Sequence, residues 1–428
     1  MKKVNVLIFP SGAENAINIF DSLKYNVHFE LYGATMKNDH SSYIFDENHL
    51  TIGNYSIKSK TFIEDFNQLL QRYQIDYIIP THDEIITFLI KNQSQIKATI
   101  ISSPYETCYI AQNKIETFRR LKGKYYIPKI YSSQDKMEYP VFIKPNMGAG
   151  GKDTHLVNSH SELEKYCNEK EYLISEYLPG QEITVDCFTN HMQKLLFFGA
   201  RTRERITSGV SFRSSTIDDD GEIKKIAEDL NRSFQFRGLW FFQLKKDKEG
   251  HYKLMEISTR AAGTMALYRQ LGINFAALSL FDFMDYDVSI LKNQFSIELD
   301  RYYKCCYKCN IEYRNVYVDF DDTIIVNDQV NSQLMQFLYQ CVNENKKIYL
   351  LTRHEKNIDM SLKKYKIPAQ LFDEIIHIDF TKNKVDYVQT DSIYIDNYFP
   401  DRKLVMDTLK IPVFDVDAVE CLISYDGM

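Results

Sequence analysis

Two stretches of this sequence hold residues of the right type and spacing for phosphate chemistry. The first is VYVDFDDTIIV, residues 316–326, an apolar run broken by Asp319, Asp321 and Asp322. Carboxylates this close repel one another and are costly to desolvate. A bound divalent cation would offset that cost. One carboxylate, Asp319, can then attack phosphorus. The other, Asp321, can protonate the leaving oxygen and later activate water. Such a centre needs a hydroxyl donor, a cation and a further metal ligand. Thr352 ends the apolar run IYLLT, and NKVDYV offers Lys384, with Lys382 as a rival. Asp396 ends SIYID, and Asp401 lies five residues further on.

The second stretch is VFIKPNMGAGGKDTHLV. Lys144 stands at the end of a strand, before a loop that holds Gly148, Gly150 and Gly151. Glycines let backbone N–H groups close on phosphate oxygens, and the lysine adds a point charge. The loop is not of the GxxxxGK[ST] kind, and a glycine loop can also simply turn the chain. In LISEYLPGQEITVD, Glu176 ends a strand, Tyr177 and Leu178 form a hinge, and Glu182 follows. A hinge backbone can pair with an adenine edge, and a carboxylate can accept bonds from ribose hydroxyls. The alternative is a hairpin with surface acids. In FFQLKKDKEGHYKLMEISTR, Gln243 on one strand faces Glu256 on the next, among apolar neighbours. Together they supply hard oxygen ligands for Mg²⁺ between phosphates. Arg260, four residues on, can hold a transferred phosphoryl group. Arg201, Arg203 and Arg205 alternate along ARTRERITSGVS, where they can hold phosphate or simply be solvated.

The elements that carry these residues follow a rhythm. Strand 4–9, helix 14–24, strand HFELYGA, helix 62–75 and strand DYIIP alternate as a parallel, doubly wound sheet would. Ile17, Phe20 and Leu23 are the expected buried face of the first helix. A helix then runs to about residue 122, and strands at 139–146, 172–189 and 195–205 follow. Helices are expected at 162–170, 221–234 and 273–284, with a hairpin at 238–258. The stretch 291–314 reads as a linker. From 315 the β–α–β rhythm restarts, with strands at 315–319, 347–352 and 392–396 and helices at 329–345 and 356–366.

A chain of 428 residues fits two or three domains. Its 52 basic and 58 acidic residues give a net charge of −6, without the basic excess of a nucleic-acid-coating protein. No apolar run is long enough to span a bilayer, and MKKVNVLIFPSG reads as a first strand rather than a signal peptide. These features fit a cytoplasmic protein with reduced thiols and neither nucleic-acid nor membrane partners. Cys305, Cys306 and Cys309 contain a single CxxC and no identifiable fourth ligand, so a linker strand is favoured there over zinc.

In this order the first set of motifs resembles the ATP-grasp superfamily, its carbamoyl-phosphate-synthetase-like branch most closely. The resemblance covers about residues 1–290, including IIPTHDE and Lys114 in AQNKIETFRRL. It implies a Rossmann-like pre-ATP-grasp domain at 1–105 and an α+β ATP-grasp domain at 106–290. By resemblance, Lys114 and Lys144 bind the phosphates of ATP, with the glycine loop. Glu176, Tyr177 and Leu178 frame adenine, and Glu182 holds ribose. Gln243 and Glu256 ligate Mg²⁺ or Mn²⁺, and Arg201 is favoured slightly over its neighbours for phosphate. The family's EINPR reads EISTR here, so Ser258 replaces a metal-ligating asparagine.

The second set resembles the haloacid-dehalogenase-like (HAD-like) phosphatases over residues 315–428, a small α/β domain. The resemblance implies Asp319 as nucleophile, Asp321 as acid and base, and Thr352 and Lys384 on phosphate. Asp396 would bind Mg²⁺ with Asp319 and the backbone of Asp321. The usual acidic pair reads Asp396-Asn397. Only 28 residues separate Thr323 from Thr352, and 30 separate Arg353 from Lys384, too few for a cap domain. The implied protein is an ATP-dependent ligase joining a carboxylate to an amine through an acyl phosphate, fused to a phosphatase of a phosphorylated metabolite. An ATP-grasp kinase, a non-amide ligase, and a nucleotide-binding protein with a structural second domain remain the alternatives.

Overall fold

The structure is a computed structural model that describes residues 3–132, 135–148, 151–166, 171–207, 209–219 and 221–424. It divides into two units, Met1–Tyr303 and Lys304–Met428.

The first unit opens with a five-stranded parallel sheet. Its order is Leu50–Ile52, Phe29–Thr35, Val4–Phe9, Tyr77–Pro80, Thr99–Ile100. Parallel strands are covered on both faces, which is why VNVLIF is nearly continuous in apolar residues. The first helix, Glu14–Leu23, buries Ala16, Ile19, Phe20 and Leu23. Ile17 is only partly covered, so the buried face is rotated from the expected one.

Two antiparallel sheets follow. The smaller is ordered Ile130–Tyr131, Tyr172–Glu176, Val141–Pro145, His155–Val157. The larger has seven strands, with Glu182–Thr189 between Leu195–Thr202 and Gly238–Lys246, and Tyr252–Ser258 at one edge. The helix expected up to about residue 122 is Lys114–Arg120, and a further helix precedes it. Tyr105–Gln112 ends at Asn113, whose extended backbone breaks the run. The Asn113 side chain accepts from the Glu116 N–H at 3.0 Å and starts Lys114–Arg120. An N-cap of this kind satisfies one orphan donor of the new helix. It also puts Lys114 at that helix's first position. In place of the helix expected over 162–170, His160–Leu163 is helical, and 167–170 lie outside the described residues.

Part of the expected linker is sheet. Glu298–Asp300 pairs with Val210–Ile217. Its polar sequence hid this, because its register is carried by charge: Arg213 pairs with Glu298 and Arg205 with Asp300. The CCYKC segment forms no strand, and Cys305, Cys306 and Cys309 are exposed thiols.

The second unit is a five-stranded parallel sheet ordered Glu374–His377, Lys347–Thr352, Asn315–Val318, Ser392–Ile395, Val413–Phe414. The helices Ser332–Asn343, Ile358–Tyr365 and Phe399–Leu409 connect the strands. A short hairpin, Ile325–Val326 with Gln329–Val330, follows the aspartates. The three central strands end at Val318, Thr352 and Ile395, so Asp319, Thr352 and Asp396 meet at one edge of the sheet. In open α/β sheets ligands bind outside these carboxyl ends. No helix among the described residues is long and apolar enough to cross a membrane.

Candidate functional site

The first unit holds a cleft of about 200 Å³ between its two antiparallel sheets. Lys114, Lys144, Gly148, Gly151, Glu182, Gln243 and Glu256 all line it. Gly150 lies outside the described residues. Gly148 and Gly151 have φ of +142° and +64°, conformations that side chains resist.

Both lysines are buried, and neither has a carboxylate at ion-pair distance among the described residues. Lys114 Nζ donates to the Gly148 carbonyl at 3.0 Å, and Lys144 Nζ to the Met255 carbonyl at 2.7 Å. Burial pushes the Lys144 ammonium down to about 8; Glu256 opposes the fall and Lys114 adds to it. Burial also lowers Lys114, against the pull of Glu256 and Asp83. Two desolvated ammonium groups without counter-ions form a cradle that an anion would complete.

Gln243 and Glu256 are direct cross-strand partners, beside a register shift after Gln243. Neither side chain has a protein hydrogen-bond partner among the described residues, so their oxygens are available to a cation. Mg²⁺ is commonly held by one or two protein oxygens plus substrate phosphates, and this pair fits that donor set. Glu182 also faces the cleft, but not alone. Its Oε1 lies 2.6 Å from Arg203 Nε and its Oε2 4.0 Å from Lys245 Nζ. Glu176 accepts from the Lys129 N–H at 2.7 Å, which commits its carboxylate to a neighbouring strand. Leu178 is buried and Tyr177 partly exposed at the hinge.

Arg201 does not line the cleft. It is sealed in the core, where its Nε and Nη2 donate to Asp186 at 2.6 and 3.0 Å. Arg203, between the strands Leu195–Thr202 and Glu204–Thr207, lines the cleft instead, where it also donates to the Gly209 carbonyl at 2.8 Å. Strand period predicts that these two arginines share a face, but the strand ends at Thr202, and Asp186 holds Arg201 alone. Ser258 and Arg260 are both held by Asp83, from the IIPTHDE segment. The Ser258 hydroxyl donates at 2.6 Å and Arg260 Nε at 2.8 Å. Burial works to raise Asp83, but Arg260 and Ser258 outweigh it and hold the carboxyl below its usual range. No local pattern marks this grip across 175 residues.

In the second unit the aspartate centre is assembled around Lys384. Its Nζ lies 2.8 Å from Asp319 Oδ1, 2.6 Å from Asp396 Oδ2 and 4.0 Å from Asp401. Asp319, Lys384 and Asp396 are all buried. Burial raises Asp319 to about 6; Lys384 opposes the rise and Asp396 adds to it. The Tyr394 hydroxyl also donates to Asp396, and the Tyr398 N–H does so at 2.7 Å. Lys384 is therefore the group chosen from the two candidate lysines. Lys382 instead offers its carbonyl to Arg353. Thr352 Oγ1 is buried beside this centre without a hydrogen-bond partner. An orphaned buried hydroxyl is costly unless a ligand satisfies it.

Asp321 points elsewhere, to His354 Nδ1 at 2.8 and 3.0 Å. The expected Mg²⁺ site takes the backbone of Asp321 rather than this side chain, and its two carboxylates, Asp319 and Asp396, lie together on Lys384. Among the described residues no three His, Cys, Asp or Glu side chains converge on a metal position. The repulsion expected between the carboxylates is met by a lysine. The same absence of a cluster applies to the exposed cysteines.

Comparison with known proteins bears on the first unit. The family model for ATP-grasp proteins in the biosynthetic pathway with the Ter operon matches residues 168–301. A carbamoyl-phosphate synthase of Methanobrevibacter smithii is 24% identical over 148 residues, covering 32% of this chain and 40% of that protein. A D-alanine–D-alanine ligase of Clostridium perfringens is 30% identical over 125 residues, covering 27% and 39%. The chain thus spans about two fifths of the length of these two relatives. The solved biotin carboxylase of Campylobacter jejuni in complex with βγ-ATP superposes with a TM-score of 0.56. It is 15% identical and covers 69% of this chain and 74% of its own. The first unit accordingly has the ATP-grasp α/β fold.

Proposed function

We propose that the chain is a bifunctional enzyme, an ATP-dependent carboxylate–amine ligase in its first unit and a phosphomonoester phosphatase in its second. The ligase reading is carried by the Lys114–Lys144 pair, two buried ammonium groups opposite Gln243 and Glu256 in an ATP-grasp cleft. ATP lies with its phosphates on the two lysines and the glycine loop, its adenine at the hinge backbone of 176–178 and its ribose at Glu182. Mg²⁺ between Gln243 and Glu256 would neutralise charge on the phosphates. A substrate carboxylate oxygen bonds to the γ-phosphorus as the bond to ADP breaks, with Arg260 on the phosphoryl group. An amine then attacks the acyl carbon, loses a proton and expels inorganic phosphate.

The phosphatase reading is carried by Asp319 and Asp396 sharing Lys384 beside the orphaned Thr352 hydroxyl. Asp319 attacks phosphorus, the bond to the leaving oxygen breaks, and Asp321 supplies that oxygen's proton. Asp321 then takes a proton from water, which attacks phosphorus and releases phosphate from Asp319. Lys384 and Thr352 hold the phosphoryl oxygens. Mg²⁺ would be held by Asp319, Asp396 and the backbone of Asp321, since each carboxylate keeps an oxygen that Lys384 does not take, and it would supply charge neutralisation at the phosphoryl group.

The deciding experiment follows ADP release with Mg-ATP against panels of amino acids and sugar acids, with and without amines, and identifies products by mass. ADP formation that requires both a carboxylate and an amine is the expected result. ADP formation with a carboxylate or alcohol alone, giving a stable phosphorylated product, would replace the ligase with a kinase.

A further inference from the structure

The strand Lys347–Thr352 and the two residues after it reach three different parts of the aspartate centre. Thr352 presents its unpartnered hydroxyl. Arg353 clamps Asp401 with two bonds, Nη1 to Oδ2 at 2.7 Å and Nη2 to Oδ1 at 3.2 Å. His354 takes Asp321. Its Nδ1 lies 2.8 Å from one carboxylate oxygen and 3.0 Å from the other.

The two partners of this last contact differ sharply. The Asp321 side chain is 54% exposed and the His354 side chain 10%. The ring is fixed from several sides. Its Nε2 lies 2.7 Å from Ser361 Oγ, and the Phe320 ring meets it edge-on, with centroids 5.0 Å apart at 72°. Its backbone carbonyl accepts from His377 Nε2 at 2.6 Å. A ring with its proton on Nδ1 satisfies both side-chain bonds, donating to Asp321 and accepting from Ser361. An ion pair with one exposed partner adds little to stability, so the fold does not need this contact. A loop carboxylate that must serve two proton transfers does need a defined position.

We infer that His354 is a positioning residue that holds Asp321 for the proton transfers of the phosphatase reaction, with Ser361 holding the ring. This inference rests on the phosphatase reading. The two half-reactions separate its effect. With a good leaving group the attack by Asp319 needs no acid, whereas hydrolysis of the phosphorylated Asp319 needs Asp321 as base in every case. Loss of positioning should therefore slow the second step and spare the first.

The test uses the full chain and p-nitrophenyl phosphate, with covalent phosphate measured by intact mass after acid quench. For His354→Ala we expect the burst of nitrophenol to be retained. We expect dephosphorylation to slow by about tenfold or more, a fraction of the usual acid–base contribution, and phosphorylated protein to accumulate. His354→Gln, whose amide can still donate to Asp321, should recover part of the loss, and Ser361→Ala should show a smaller version of it. Wild-type partition between the two steps in His354→Ala would overturn the inference while leaving the phosphatase intact. So would equal loss of both steps together with a lower melting temperature, which marks a merely structural role. Wild-type protein that neither turns over nor becomes phosphorylated would remove the phosphatase reading itself, and this inference with it.

Discussion

The two candidate sites handle charge in opposite ways. In the cleft, Lys114 and Lys144 are buried against carbonyl oxygens, and their counter-charge must come from a ligand. At the aspartate centre, Lys384 already lies between Asp319 and Asp396, and the charge is balanced inside the protein. The first arrangement suits a large polyanion, which brings several negative charges at once. The second suits a single phosphoryl group, which must displace a lysine contact to reach its nucleophile. Desolvation acts on both, but it pushes a lysine down in one and an aspartate up in the other.

The strongest test of this contrast is whether the sites fail independently. Asp319→Asn should reduce aryl phosphate hydrolysis on the order of 10⁴-fold or more, since an amide cannot act as the nucleophile. It should leave ATP-dependent ADP formation at wild-type level. Lys144→Ala and Glu256→Gln should do the reverse. Loss of both activities in any one folded variant, followed by parallel kinetic assays, would dissolve the two-site description.

Arg201 and Arg203 offer the next largest effect. Arg201→Ala leaves Asp186 buried without its partner and should cost about 3–5 kcal/mol in urea unfolding. Arg203→Ala removes a cleft-lining partner of Glu182. It should weaken ADP binding while costing less stability than Arg201→Ala, because Glu182 stays in the cleft with Lys245 beside it. Equal destabilisation by both would show that the cleft and the core are not separable here.

Titration sharpens the comparison from the side of Lys144. In the unfolded chain a lysine keeps its proton to about pH 10.4. In the fold Lys144 gives it up near 8. Between those values the unfolded state binds more protons, so stability should rise with pH across that window. Lys144→Met has no charge to bury. It should be more stable than wild type at pH 7 by roughly 2–3 kcal/mol and should lose the rise. ADP binding should weaken as pH passes upward through about 8. A flat profile from pH 7 to 10 would mean that the ammonium is already compensated.

The smallest effect belongs to Glu182. Glu182→Ala should weaken ATP binding by about 1.5–3 kcal/mol with little change in the rate of chemistry, because ribose contacts are shared by ground and transition states. Unchanged affinity by titration calorimetry would assign Glu182 to Arg203 alone.

Periodicity was enough to place most strands and helices of both units, because an apolar run or a 3.6-residue stripe is itself the cause of burial. It was also enough to bring Asp319, Thr352 and Asp396 to one sheet edge. Parallel strands starting in register end together. Glycine and lysine types likewise pointed to the cleft without the fold. What the sequence could not supply was the partner of each charge. Arg201 and Arg203 are indistinguishable as letters, and Asp186 buried in the next strand separates them. Glu298–Asp300 looked like linker because its pairing is written in cross-strand charges rather than in apolar alternation. The grips of Asp83 on Arg260, of Lys384 on two aspartates and of His354 on Asp321 join residues from different elements. No local pattern encodes them, because hydrogen bonds act over about 3 Å in space and are indifferent to separation along the chain.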